Sequence, residues 1–106
     1  MNEDINNIIS WAHDRNLING STVKDQFVKL TEELGELAAG IARGNNEQIE
    51  DSIGDMVVVL TILSEIHGNK FNKNDLPYIE EYTYGAYQTI KDRKGKMVNG
   101  VFVKEE

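Results

Sequence analysis

The chain has 106 residues, a formal net charge of −7 and no cysteine. This length supports one domain with one hydrophobic core, and the lack of cysteine excludes disulfides, thiolate metal sites and a cysteine nucleophile. The acidic balance argues against a nucleic-acid binder, because such proteins usually carry positive charge to neutralise phosphates. The first residues lack the pattern of a signal peptide, and the longest apolar run, 56–63, is too short to cross a membrane. We therefore expect a soluble cytoplasmic protein that binds neither nucleic acid nor membranes.

Apolar residues recur at helical spacing along most of the chain and predict four helices. Ser21 or Thr22 is the candidate N-cap of the second helix, and Asn74 is the candidate N-cap of the fourth, with Pro77 in its first turn. The third segment contains MVVVLTIL, which is rich in β-branched residues. It is still predicted as a helix because apolar positions from Ile49 to Leu63 continue a helical stripe through this run over more than ten residues. The predicted helices cover about 4–17, 21–43, 47–67 and 75–92.

The C-terminal segment KMVNGVFVK places Asn99 and Gly100 between two short apolar stretches. This pair predicts a type I′ β-hairpin at about 96–104. A lone hairpin is marginally stable in water, so we expect it to pack on the helices or on a second subunit. The third helix is apolar on all faces, which predicts that it is buried on several sides. The sequence thus predicts a single all-α domain over 1–106, a four-helix bundle with a short C-terminal hairpin.

Two groups of carboxylates lie on the second and third predicted helices. Glu33 and Glu36 are three residues apart, and Asp51 and Asp55 are four apart, so each pair lies on one helix face. A solvated acidic face is the simpler interpretation of such a pattern. Neighbouring apolar residues predict instead that both groups are partly covered, and buried carboxylates need a countercharge. Mg²⁺ and Mn²⁺ take oxygen ligands and retain water or phosphate, so a few carboxylates from two helices suffice.

Two glycines stand beside these carboxylates within the predicted helices. Gly35 is next to Glu36 and Gly54 is next to Asp55. A glycine inside a helix costs roughly 1 kcal/mol relative to alanine. We interpret the pair as a sign either of close helix approach or of access for a ligand, against the alternative of tolerated surface glycines.

The segments KLTEELGELAAGIARG, EDSIGDMVVVL and IKDRKGKMVNGVFVKE resemble the MazG-like nucleoside triphosphate pyrophosphohydrolases of the all-α superfamily. The likeness is to the short forms found in phages and bacteria, and it runs from about 8 to 104. The motif of the family is ExxE, a spacer and ExxD. The segment 33–36 matches its first half and Asp55 its final aspartate. Ser52 stands where the motif has glutamate, and Asp51, one position earlier, is the candidate replacement.

The resemblance implies Mg²⁺-dependent hydrolysis of a nucleoside or deoxynucleoside triphosphate to the monophosphate and pyrophosphate, with Mn²⁺ as a possible substitute. It implies nucleotide-pool housekeeping by a homodimer or homotetramer whose active site is completed across subunits, in the host cytoplasm if a phage encodes it. The implied metal ligands are Glu33, Glu36, Asp51 and Asp55, and Glu32 is the candidate base. The candidate substrate-binding residues are Lys91, Arg93, Lys94, Lys29, Gln26 and Trp11.

Simpler roles compete with three of these substrate contacts. Lys29 and Lys94 are interpreted more simply as solvated charges, and Trp11 as a core aromatic residue. Two other functions also stay open. The first alternative is a non-catalytic helical dimer that binds nucleotides or proteins, in which Ser52 marks a lost activity. The second is a relative with one narrow substrate, such as dUTP or phosphoribosyl-ATP. Base contacts come from scattered side chains, so the motif leaves the preferred base undefined.

Overall fold

The computed structural model describes residues 3–68 and 76–105. The helices are α1 (Glu3–Asp14), α2 (Val23–Arg43), α3 (Asn46–Gly68) and α4 (Tyr78–Ile90), and the strands are β1 (Gly95–Val98) and β2 (Val101–Lys104). The fold is therefore mainly helical with a small antiparallel sheet, as the sequence predicts. None of the helices in the described ranges combines the length and apolar character that a membrane span requires.

Helix α3 is the central element. Helices α1, α2 and α4 each pack against α3, and among the described residues none of these three helices packs against another. The core cluster consists of Ala12, Ile18, Ile62 and Ile66, of which the last two belong to α3. This central place explains why α3 is apolar around most of its circumference, because it meets neighbours on several sides.

The ends of α1 and α2 follow from short polar motifs. Helix α1 ends at Asp14, earlier than predicted, because Asn16 adopts a left-handed conformation with φ of 57°. The Leu17 N–H then donates to the carbonyl of Ala12 at 2.9 Å, which closes the helix. Thr22 is the N-cap of α2: its Oγ1 accepts from the Asp25 N–H, while the Asp25 carboxylate accepts from the Thr22 N–H, both at 3.1 Å.

The connection between α2 and α3 is short and tightly bonded. Gly44 takes a left-handed conformation with φ of 66°, and the Asn45 N–H donates to the carbonyl of Gly40 at 2.9 Å. The Asn45 Oδ1 accepts from the Gln48 N–H at 3.1 Å and caps the first turn of α3. A Cβ on Gly40 would lie 3.1 Å from Gln48 Cγ and 3.2 Å from the Ile49 nitrogen. Gly40 therefore allows α3 to begin in direct contact with α2, and the two helices run side by side.

Helix α4 begins later than predicted. Pro77 occupies the N-cap position rather than the first turn, and the predicted cap Asn74 lies outside the described residues. Tyr78 is buried, and its N–H donates to Glu65 Oε2 of α3 at 2.9 Å. The start of α4 is thus fixed to the C-terminal half of α3 by one buried ring and one charge-assisted hydrogen bond.

The C-terminal hairpin has the predicted turn. Met97 pairs with Phe102 and Val98 with Val101, and both turn residues, Asn99 and Gly100, have positive φ angles of 50° and 81°. All residues of both strands are exposed, and no helix in the described part of the chain packs against them. Packing of the hairpin on the helices of its own chain, one of the two expected arrangements, is therefore wrong. Packing on a second subunit stays a prediction.

Candidate active site

An open cleft of about 620 Å³ separates the middle of α2 from the first half of α3. Its lining is entirely polar or acidic and comprises Glu33, Glu36, Asn45, Glu47, Gln48, Asp51, Ser52 and Asp55. All four residues that the sequence suggests as metal ligands are among them. The short connection between α2 and α3 brings them to one place, because it turns the carboxylate face of each helix towards the same opening.

On the α2 side, Glu33 forms an ion pair with Lys29. The Lys29 Nζ lies 3.4 Å from Glu33 Oε1 and 3.5 Å from Glu32 Oε2. The Glu33 side chain is only 13% exposed, whereas that of Lys29 is 54% exposed. The hydrogen bond and charge of Glu33, followed by the charge of Glu32, raise the pKa of Lys29 above its ordinary value of 10.5. Lys29 is therefore a cation at neutral pH, and it is bonded to the glutamate that enters the cleft.

Glu36 is bonded to Gln48 across the two helices. The Gln48 Nε2 donates to the main-chain oxygen of Glu36 at 2.9 Å and to its Oε2 at 3.3 Å. The shorter bond goes to the main chain, so the chief effect of Gln48 is to hold the start of α3 against α2. The weaker bond draws the Glu36 carboxylate towards the same amide.

The α3 side of the cleft is more open than the sequence suggests. Asp51 and Asp55 are exposed, so the expectation that they lie on a buried side of α3 is wrong within one chain. Ser52, between them, is only 3% exposed and lines the cleft. A serine at this position supplies a short hydroxyl side chain and no carboxylate to the lining.

Gly35 of α2 and Gly54 of α3 do not mark places where two helices approach each other closely. A Cβ added to Gly35 or to Gly54 meets no atom within 4 Å. The neighbouring Val28 and Ala38 are also exposed, whereas Ala39 and Glu33 are half-buried, so the carboxylate side of α2 is only partly covered within the chain. The glycine at which α2 and α3 approach each other is Gly40.

The cleft contains the ligand types of a Mg²⁺ or Mn²⁺ site, but its carboxylates do not converge on one point. Carboxylate oxygens from two helices match the preference of these ions. Across residues 3–68 and 76–105, however, no three histidine or acidic side chains converge closely enough to hold a metal ion. On the α2 side, Glu33 is bonded to Lys29 and Glu36 to Gln48. The ligand chemistry fits, with both glutamates held by groups of the protein.

The other predicted site residues lie outside this cleft. Glu32 is 61% exposed and shares Lys29 with Glu33 at the edge of the opening. Gln26 is buried and donates to Ser21 Oγ at 3.1 Å, so it supports the start of α2. The three basic residues that follow α4 are exposed, and none of them lines the cleft within one chain: Lys91, Arg93 and Lys94.

Trp11 is 43% exposed, so its simpler interpretation as a core residue is wrong. It lines a second groove of about 550 Å³ between α1 and α3. The Arg15 guanidinium lies 4.7 Å from the centroid of the indole ring and covers part of it. Asp55 lines both the groove and the carboxylate cleft. The two cavities are therefore adjacent, and an exposed aromatic ring stands beside the acidic site.

Residues 22–92 match the MazG nucleotide pyrophosphohydrolase domain. The chain belongs to this family. Within the MazG segment lie α2, α3, α4 and the whole lining of the carboxylate cleft, whereas α1 with Trp11 precedes it and the hairpin follows it.

A search of curated proteins finds a phage relative of this MazG chain. The chain is 52% identical over 61 residues to the "Uncharacterized 18.2 kDa protein in rep-hol intergenic region" of Haemophilus phage HP1 (strain HP1c1). The aligned part covers 58% of the chain and 37% of the phage protein, so the chain spans little more than a third of that relative. No solved structure matches the chain significantly.

Four lining residues of the MazG cleft were not identified as site residues from the sequence. They are Asn45, Glu47, Gln48 and Ser52. Their common feature is that they follow Gly44 closely, at the start of α3. The sequence signal for them is the segment from Gly40 to Gly44. Gly40 permits close contact between the helices, and Gly44 ends α2 in a left-handed conformation, so the first turn of α3 lies opposite the end of α2.

Proposed function

We propose that the chain hydrolyses nucleoside or deoxynucleoside triphosphates to the monophosphate and pyrophosphate with the help of Mg²⁺, and that Mn²⁺ can replace Mg²⁺. The observation that carries this proposal is the cleft between α2 and α3. It places Glu33, Glu36, Asp51 and Asp55 around one opening, inside the segment that matches the MazG domain. The family membership supplies the reaction class, and the carboxylate-rich lining supports the metal.

The proposed roles of the cleft residues follow from their places. Glu33 and Glu36 on α2, with Asp51 and Asp55 on α3, hold the metal. When bound, the ion neutralises the triphosphate and orients it for attack. Glu32 accepts a proton from the attacking water, because it is a carboxylate that shares Lys29 with Glu33 and is not needed as a ligand.

The groove beside Asp55 is the proposed place of the nucleoside. A nucleotide whose phosphates occupy the carboxylate cleft extends naturally into the adjoining groove, where Trp11 offers an aromatic surface. Asn7, in the same groove, has an amide that both donates and accepts hydrogen bonds. Gln26 is left to its structural role at the start of α2.

The active form is proposed to be a homodimer or homotetramer, in which a second subunit supplies the cationic groups for the leaving pyrophosphate. Lys91, Arg93 and Lys94 are exposed and do not line the cleft of their own chain, so a neighbouring subunit is the source from which they can reach it. Apolar residues on one face of α2 support the association. Phe27, Leu34 and Ile41 are 58%, 54% and 61% exposed and lie two helical turns apart.

The test is pyrophosphate release from a panel of canonical and modified nucleoside triphosphates, with Mg²⁺, with Mn²⁺ and with EDTA. Metal-dependent release of pyrophosphate and monophosphate in equal amounts supports the proposal, and the preferred base defines the substrate. The panel includes dUTP and phosphoribosyl-ATP, so that a narrow specificity is detected. No release by folded protein from any member would contradict the proposal and favour a non-catalytic binding module.

A further inference from the structure

The Lys29 ammonium occupies a place that conflicts with metal binding. It contacts Glu33, which lines the cleft, at 3.4 Å, and the adjacent Glu32 at 3.5 Å. A divalent cation bound to Glu33 would repel an ammonium at this distance. The two cations therefore compete for the negative charge of the same carboxylate, and binding of the metal favours departure of the ammonium.

We propose that Lys29 is an exchangeable counter-ion. In the metal-free protein it neutralises the Glu33 carboxylate. Metal binding displaces it, and the freed ammonium then binds the triphosphate of the substrate. This inference rests on the proposed function, and it adds a role for Lys29 that links metal binding to nucleotide binding.

Exposure and chain length make this exchange feasible. The Lys29 side chain is 54% exposed and its stem is flexible, so the ammonium can leave Glu33 without disturbing a packed core. The lysine end of this ion pair is open to solvent, which limits the contribution of the pair to stability and the cost of breaking it. Lys29 is also one helical turn from Glu33, so a released ammonium stays within reach of a phosphate chain at the cleft.

Gln48 differs from Lys29 although it also contacts a ligand carboxylate. Its amide is neutral, and its shorter bond, 2.9 Å, goes to the main-chain oxygen of Glu36 rather than to the carboxylate. A metal ion has no charge conflict with this amide. Gln48 therefore stays in place when metal binds, and the exchange is confined to Lys29.

The exchange predicts opposite changes in two constants. In a Lys29→Met variant, Mn²⁺ has no competitor and meets a more negative cleft, so its dissociation constant without nucleotide falls by roughly threefold to tenfold. The same variant lacks a phosphate contact, so KM for the triphosphate at saturating metal rises by roughly tenfold. Lys29→Arg keeps the charge and is expected to restore both constants towards wild-type values.

The experiment measures free Mn²⁺ by electron paramagnetic resonance in nucleotide-free protein, and KM by pyrophosphate release. Lys24→Met is the matched control, because it removes the same charge from an exposed position of α2 that does not line the cleft. Opposite shifts in Lys29→Met and neither shift in Lys24→Met support the exchange. Unchanged Mn²⁺ affinity in Lys29→Met, with wild-type protein that binds Mn²⁺, overturns it and leaves the proposed function standing. Wild-type protein that binds no Mn²⁺ overturns both.

Discussion

At the level of single residues, the carboxylates of the site differ in whether they form an ion pair or a hydrogen bond with another side chain. Glu33 and Glu32 share Lys29, and Glu36 is bonded to Gln48, whereas Asp51 and Asp55 stand exposed on α3. The α2 side is thus bonded to protein groups, and the α3 side is open.

Glu32 and Glu33 are adjacent but have separate roles in this arrangement. Replacing Glu32 by Gln removes the proposed base without removing a ligand, so we expect kcat to fall by roughly 10² to 10⁴. The Mn²⁺ dissociation constant should change by less than about threefold, the size of an exposed charge effect. Steady-state kinetics and Mn²⁺ titration of the same preparation measure the two quantities.

Glu50→Gln is the control for this variant. It removes the same charge from an exposed residue of α3 that does not line the cleft. A kcat of Glu32→Gln within twofold of the control would show that the base is another group. Glu47, which does line the cleft, would then be the next candidate.

At the scale of elements, the contact between α2 and α3 determines the geometry of the cleft. Gly40 permits the first turn of α3 to touch α2, and Gln48 fastens it through the main-chain oxygen of Glu36. Gly35, five residues earlier on α2, has open space around it. The same glycine-to-alanine change therefore has different expected effects at the two positions.

Gly35→Ala should raise the free energy of unfolding by up to about 1 kcal/mol, because alanine favours the helix and its Cβ meets nothing. Gly40→Ala gains the same helix propensity but forces a Cβ against Gln48 and the Ile49 nitrogen. We expect it to be less stable than Gly35→Ala by at least about 1 kcal/mol. Urea unfolding at equal protein concentration measures both. Equal stabilisation by the two changes would contradict the close approach at Gly40.

Sequence patterns locate these elements better than they locate their contacts. Helical spacing and the Thr22 cap define α2, and Asn99 with Gly100 defines the hairpin turn, because these signals act between residues close in the chain. The spacing of ExxE likewise places Glu33 and Glu36 on one face of α2. Asn16, whose left-handed conformation ends α1 early, is a local feature that hydrophobic spacing does not reveal.

The contacts that the sequence did not reveal are those between distant residues. Gly35 and Gly54 looked like sites of close approach, yet Gly40 is the one that meets α3, because the packing depends on how the α2 to α3 turn directs the chain. The exposure of Asp55 likewise depends on which helices surround α3. Neither fact is encoded in the neighbours of these residues along the chain.

At the scale of the whole molecule, one chain is not a compact body. Its radius of gyration is 16.3 Å, whereas a compact domain of this length is expected to have about 13 Å. The exposed apolar residues of α2 and the unpacked hairpin account for part of the difference, because nothing in the described chain covers them. These surfaces are expected to be buried between subunits.

Association of subunits can therefore be tested through Ile41, which is 61% exposed on α2. Wild-type protein at micromolar concentration should sediment as a species at least twice the 12.0 kDa of the chain. Ile41→Glu places a charge in the apolar face and should shift the population towards monomer. Ser10→Glu is the control, since it adds the same charge at an exposed position of α1 that lines neither cavity. A monomeric wild-type protein would contradict the association.

In the proposed function, the carboxylate cleft holds the metal that promotes release of pyrophosphate. The most direct measurement compares Mg²⁺-dependent pyrophosphate release by wild-type protein and by Glu36→Gln, with circular dichroism of both. The amide keeps the shape of the side chain but removes a charged ligand, so we expect the rate to fall at least roughly 100-fold while the helical spectrum stays unchanged. Undiminished Mg²⁺-dependent release by Glu36→Gln would contradict the metal assignment.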